Sequence, residues 1–187
     1  MDGMRMRICV PTDGQEPFYN GYAGYHNIAA LGIVAPDGMM VAMTDGDPGH
    51  FNDPGLVIEN DVNFRLFMAG APAAQYLPAN ALCDAAFGRT ACIAPLPKEN
   101  THAYTLFAPS QLAALSATRV IVEWAFGEIR QTFPFIELLL RNKVFHTRPL
   151  RALRSAAILR NALRALRGTE ASMYSLMAPP TLDEWLA

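Results

Sequence analysis

The rhythm of apolar and polar positions changes several times along the chain, and each change predicts an element. Residues 5–18 read as an irregular or edge strand, broken by Pro11 and by the Asp13-Gly14 turn. Asn27 to Val34 is an apolar run of strand length. Pro36-Asp37-Gly38 is a turn, because proline presets φ and glycine accepts a positive one. Met39 to Met43 then forms the second strand of a hairpin. Asp45 to Pro54, rich in Gly, Asp and Pro, is a loop, and Leu56 to Met68 has helical spacing. Ala79 to Cys83 is a short apolar strand that delivers Asp84 at its end, and residues 88–109, with Pro95, Pro97 and Pro109, read as loop. Ser110 is placed to cap a long helix from Gln111 to about Thr132, which Pro134 ends or kinks. A last helix covers about Pro149 to Arg167, with Gly168 as its stop. Strands early and helices late predict an α/β or α+β layered fold in one domain spanning 1–187, with 168–187 as a tail.

Composition agrees with a packed core. The 187 residues are 51% hydrophobic and 17% charged, which excludes a disordered chain. The apolar runs are too short to span a bilayer, so no membrane partner is expected, and no secretory signal is visible. Cys9, Cys83 and Cys92 have no metal-ligand spacing and are odd in number, which suits a reduced intracellular protein. The net charge of −2 hides an asymmetry. Residues 1–100 hold 5 Lys/Arg against 11 Asp/Glu, and residues 101–187 hold 10 against 6. No acid falls between Glu137 and Glu170, where eight basic residues do.

Three acids in or beside apolar sequence stand out: Asp2, Asp84 and Glu123. Carboxylates in such settings are costly unless paired or bound. Two Asp and one Glu converging on a point would suit Mg²⁺ or Mn²⁺, and with them phosphodiester cleavage and transfer. Each has a plainer reading. Glu123 shares a helix face with Arg119 and Gly127, and is then a surface partner of Arg119. Asp84 could instead start a turn, and Asp2 lies in the terminal stretch that usually frays. Arg160, Arg164 and Arg167 fall on one helix face, with Leu159, Leu163 and Leu166 beside it. That face is either a DNA-facing stripe or the solvated side of an amphipathic helix. Trp124 and Phe126 read as core.

Taken in order, these fragments resemble the catalytic domain of Harbinger/PIF-type DDE transposases, over essentially the whole chain. Asp2-Gly3 through Ile8 and Pro11 is similar to that family's opening. Tyr19-Asn20-Gly21-Tyr22 with His26, then Val34 to Gly38, then Gly49 and Asp53 follow in order. Cys83-Asp84-Ala85-Ala86-Phe87 stands at the second aspartate, and Val122-Glu123-Trp124-Ala125-Phe126-Gly127 is the most specific stretch. Leu159 to Ala162 and Pro179 to Glu184 resemble the end of the domain, and Asp84 and Glu123 lie 39 residues apart.

The resemblance implies a ribonuclease H-like mixed sheet flanked by helices. It implies that Asp2, Asp84 and Glu123 are the catalytic triad of a site for two Mg²⁺ or Mn²⁺ ions acting on DNA. It places His26, Asp53 and Arg119 as possible accessories, and the nucleus as location. The departures bear on activity. Only Met1 precedes Asp2, so the first central strand is expected to be missing and the domain N-terminally truncated. Ala23, Gly24, His50 and Phe51 stand where basic residues are usual, and Cys83 replaces a glycine. No helix-turn-helix module is present, so a separate DNA-binding partner protein is a further expectation. The expectation is a transposase-derived, metal-dependent DNA endonuclease or strand-transfer domain of weakened or lost activity. The alternative is a non-catalytic DNA- or protein-binding module, domesticated or left from a decaying transposon.

Overall fold

A computed structural model describes residues 1–70, 80–138, 142–144, 146–167 and 177–187. Strand β3 (Tyr25–Val34) is the hub of the main sheet. β1 (Asp2–Arg7) pairs antiparallel along one side of it, with Asp2 opposite Gly32 and Arg7 opposite Asn27. β2 (Tyr19–Asn20), β4 (Met40–Met43) and β5 (Asp47–Pro48) are also antiparallel to β3, and the register to β4 shifts at Ile33/Val34. β6 (Ala81–Cys83) and β7 (Ile93–Pro95) form a separate parallel pair. The backbone nitrogen of Met1 donates to the Leu82 carbonyl at 2.6 Å, so β6 stands beside the start of β1. The fold is thus mixed α+β and agrees with a ribonuclease H-like layered arrangement.

Two apolar clusters cover the two faces. On one, Ala29 and Leu31 of β3 meet Leu56 of α1 (Asp53–Glu59), Val62 and Leu66 of α2 (Val62–Gly70), and the β6/β7 residues Cys83 and Ile93. On the other, Met4 and Met6 pack against α4 (Pro109–Thr132) through Val122, Ala125, Phe126 and Ile129, and against α5 (Pro149–Arg167) through Leu153, Ala156 and Ala157. The Met-Arg alternation of β1 produces this: Met4 and Met6 are buried, and Arg5 and Arg7 point the other way. A Cβ on Gly32 would lie 2.5 Å from Phe126 Cζ, so only glycine lets α4 seat its ring there. The buried Asn161 amide on α5 bonds both the N–H and the carbonyl of Met40, and so covers the edge of β4.

Several boundaries differ from the sequence reading. Asp2 opens β1, and the strand lies at residues 2–7, ahead of the irregular stretch expected over 5–18. The helix expected over Leu56–Met68 is two, because Asp61 turns the chain with φ of 49°. β5 lies in the expected 45–54 loop, and β7 and α3 (His102–Thr105) in the expected 88–109 loop. α4 begins at Pro109, not after a Ser110 cap: the Gln111 side chain accepts from Ala108 N–H at 2.9 Å. The expected tail carries α6 (Leu182–Leu186), which is capped by Thr181 and packs on α5. Ala79, Arg141 and Gly168 lie outside the described residues.

Candidate carboxylate site

The register of β1 on β3 decides where the first carboxylate goes. Asp2 lies on the Met4/Met6 side of the sheet, opposite Gly32, and Phe126 rests on Gly32. Glu123 is one helical turn before Phe126, so the α4 packing that needs Gly32 also brings Glu123 toward Asp2. Gly3 and Arg5 face the opposite side. There Asp53, the first residue of α1, lies against Gly3, where a Cβ would meet its Oδ1 at 2.7 Å. Arg5 bonds Asp53 Oδ1 at 3.1 Å and the Phe51 carbonyl at 3.2 Å. Asp84 follows β6, whose Leu82 carbonyl takes the Met1 N–H.

The electrostatics report the same neighbourhood. The Asp2 carboxyl titrates above its ordinary value chiefly because it is half-buried; the charges of Asp53 and Glu123 push it further up, while the Gly3 N–H and Arg119 pull it down. The Cys83 thiol is pushed up to about 11, first by burial, then by the charges of Asp84 and Asp2. Asp53 and Glu123 therefore lie within electrostatic reach of Asp2, and Asp84, like Asp2, within reach of Cys83.

They do not converge on a point. Asp2 Oδ1 accepts from Gly3 N–H at 2.8 Å. Asp84 is exposed, and its Oδ1 accepts from Ala85 N–H at 2.5 Å, with its carbonyl bonding Phe87 N–H. Glu123, 43% exposed, is ion-paired with Arg119. Asp53 is held by Arg5. Each carboxylate is thus engaged by its nearest donor.

A family model described as DDE superfamily endonuclease matches residues 1–161. The chain belongs to that family. A search of curated proteins and one of solved structures return no significant match. Membership makes this a transposase-derived nuclease domain, with DNA as the substrate that the family implies. Endonucleases of this superfamily generally use divalent metal ions. The donor set of this chain does not fit such an ion as it stands. Among the described residues no three His, Cys, Asp or Glu side chains are close enough to hold a metal. No described helix is long and apolar enough to cross a membrane.

Other candidates are placed differently from expectation. His26 lies six positions along β3 from Gly32, about 20 Å at roughly 3.3 Å per residue, and meets the Tyr19 ring at a tilt instead of joining the site. The DNA-facing stripe on α5 is corrected. Arg160 is fully buried and Arg164 nearly so, and both bond Glu128 Oε2, Arg160 through Nε at 2.9 Å and Arg164 through Nε at 2.9 Å and Nη2 at 2.6 Å. Arg160 Nη1 also donates to the Gly38 carbonyl at 3.0 Å, which pins the β3–β4 turn to α5. Of the three, only Arg167 is exposed. Leu159 and Leu166, expected on the buried side, face solvent. Phe126 is core as expected, whereas Trp124 is partly exposed.

Two functional neighbours escaped the sequence reading. Arg5 carries a signal, a cation three residues after Asp2 in an alternating strand. Glu128 carries a subtler one. The acid-free stretch 138–169 must find counter-charge elsewhere, and Glu128 lies five residues past Glu123 on α4, turned onto another face.

Proposed function

We propose that this chain is a Harbinger/PIF-type DDE nuclease derivative that still engages DNA, and whose cleavage activity is weakened or lost. The observation that carries the reading is the state of the carboxylates. Asp2, Asp84 and Glu123, which we take as the family's triad by resemblance, are each engaged by a donor of their own, and no three carboxylates converge. Loose placement of catalytic groups by an ångström or more costs orders of magnitude in rate. Asp2, Asp84 and Glu123 are the ligands that the resemblance would give an ion, but their present placement does not fit one, and Asp53 adds a further charge near Asp2. Arg119 and Arg5 now neutralise part of that charge. Action on DNA gives the nucleus as the compartment in which the chain would work, with a separate protein supplying sequence recognition.

The test uses supercoiled plasmid with Mn²⁺ and with Mg²⁺. The expected result is retention of plasmid in a gel shift, with nicking no faster than for a Glu123→Gln variant. Nicking that Glu123→Gln abolishes would show an active nuclease and overturn the reading of weakened activity. No retention at any salt concentration would remove DNA as the partner.

A further inference from the structure

A cleft of about 470 Å³ lies beside the carboxylates, within the size range of small-ligand sites. Arg5, Asn20, Tyr22, His50 and Asp53 line it, and Ala86, two residues past Asp84, borders it. It therefore opens next to the candidate site and shares Arg5 and Asp53 with it.

Its walls are braced by buried polar bonds. The Asn20 side chain donates to the Gly49 carbonyl at 2.6 Å and accepts from Ala23 N–H at 2.8 Å, joining the 20–24 turn to the 49–53 loop. His50 N–H bonds the Pro17 carbonyl at 3.0 Å, and the His50 ring lies on Phe51 with centroids 4.1 Å apart. A Cβ on Gly49 would sit 2.4 Å from the Asn27 carbonyl, so the loop presses directly on β3.

On this braced turn Tyr22 stands fully exposed. Tyr19, three residues earlier, meets the His26 ring at 60° with centroids 5.2 Å apart. A ring held out in water gains the fold no burial, while a fixed backbone keeps its face available at low entropic cost. Stacking of bases on such rings is strong and tolerant of sequence, because every base has a π-face.

We propose that Tyr22 and its cleft take an unstacked nucleobase of single-stranded or frayed DNA, with the part-exposed Arg5 guanidinium beside the adjoining phosphate. The proposal rests on the DNA-acting reading above. It adds a binding site that positions a strand next to the carboxylates, and it holds whether or not those carboxylates still cleave.

Fluorescence anisotropy with a labelled oligo(dT) of about twelve nucleotides and with a blunt duplex tests it. Tyr22→Ala is expected to weaken oligo(dT) binding about tenfold, with Tyr22→Phe close to wild type. Being fully exposed, Tyr22 can be truncated without loss of folding. If wild type binds oligo(dT) and Tyr22→Ala binds it equally well, the base site is overturned and the DNA reading stands. If Tyr22→Phe loses as much as Tyr22→Ala, stacking is not the interaction and the proposal is again overturned. If wild type binds neither DNA, the DNA reading fails and takes this site with it.

Discussion

Helix α4 carries two charge clusters that have met opposite fates. Around Glu128, one carboxylate answers two arginines, and Arg160 and Arg164 lie inside the protein as a result. Around Glu123, the carboxylates of Asp2 and Asp53 come near, with Arg119 and Arg5 paired among them, and the Asp2 pKa is raised first by burial and then by those charges. The first cluster is held shut by charge of opposite sign. Even so, Arg160 Nη2 is buried with no partner, and the guanidinium is pushed down to about 10, first by burial. The second is only half-buried, and each of its carboxylates has a donor of its own. The Glu128 cluster is buried around one shared carboxylate, whereas the Glu123 cluster stays part-exposed, each carboxylate on a donor of its own.

The comparison is broken most directly at its closed side. Glu128→Gln leaves two buried arginines without a counter-charge, and is expected to cost about 3 kcal/mol in urea unfolding. A loss near zero would show that Glu128 is not the hub. Next comes the packing that sets Glu123 near Asp2. Gly32→Ala drives a methyl into the Phe126 ring and should cost about 2 kcal/mol by the same measurement. On the open side the effects shrink. Arg5→Ala removes a part-exposed ion pair, and the expected loss is about 0.5 kcal/mol.

Asp2→Asn should be the smallest and has a distinctive pH signature. The Asp2 pKa is raised above 3.8 in the folded chain, so the native state binds that proton more readily than the unfolded one. Stability is then lost as pH rises from about 3.8 through the raised value, and the full penalty is present above it. Thermal unfolding of Asp2→Asn should match or exceed wild type at pH 7, and the gap should close below pH of about 4. A gap that widens on acidification would contradict the cost of burying the charged Asp2 carboxylate.

Much of this was legible in the sequence, and the gaps have physical causes. The β3–β4 hairpin and the long helix around Glu123 were readable because apolar period and turn chemistry agree there. β1 was misplaced although Met4-Arg5-Met6-Arg7 alternates, since Pro11 and Asp13-Gly14 drew the boundary too late. β7 was hidden because Ile93-Ala94-Pro95 is short and contains proline, which an edge position tolerates. The order of motifs singles out Asp2, Asp84 and Glu123, and the structure places Glu123 within electrostatic reach of Asp2. Their individual hydrogen bonds did not, since Gly3 N–H and Ala85 N–H become partners only through local backbone geometry. The α5 arginines were assigned outward on the rule that arginines are rarely buried unless paired, and the pairing residue lies 32 positions away in sequence for Arg160.

Asp2, Asp84 and Glu123 do not gather into a metal site. Calorimetric titration of Mn²⁺ into the purified chain, with Asp84→Asn as the comparison, tests it most directly. The expected result is weak, unsaturated binding that Asp84→Asn leaves unchanged. Saturable binding at one site, abolished by Asp84→Asn, would show that the carboxylates do gather around an ion and would contradict the account.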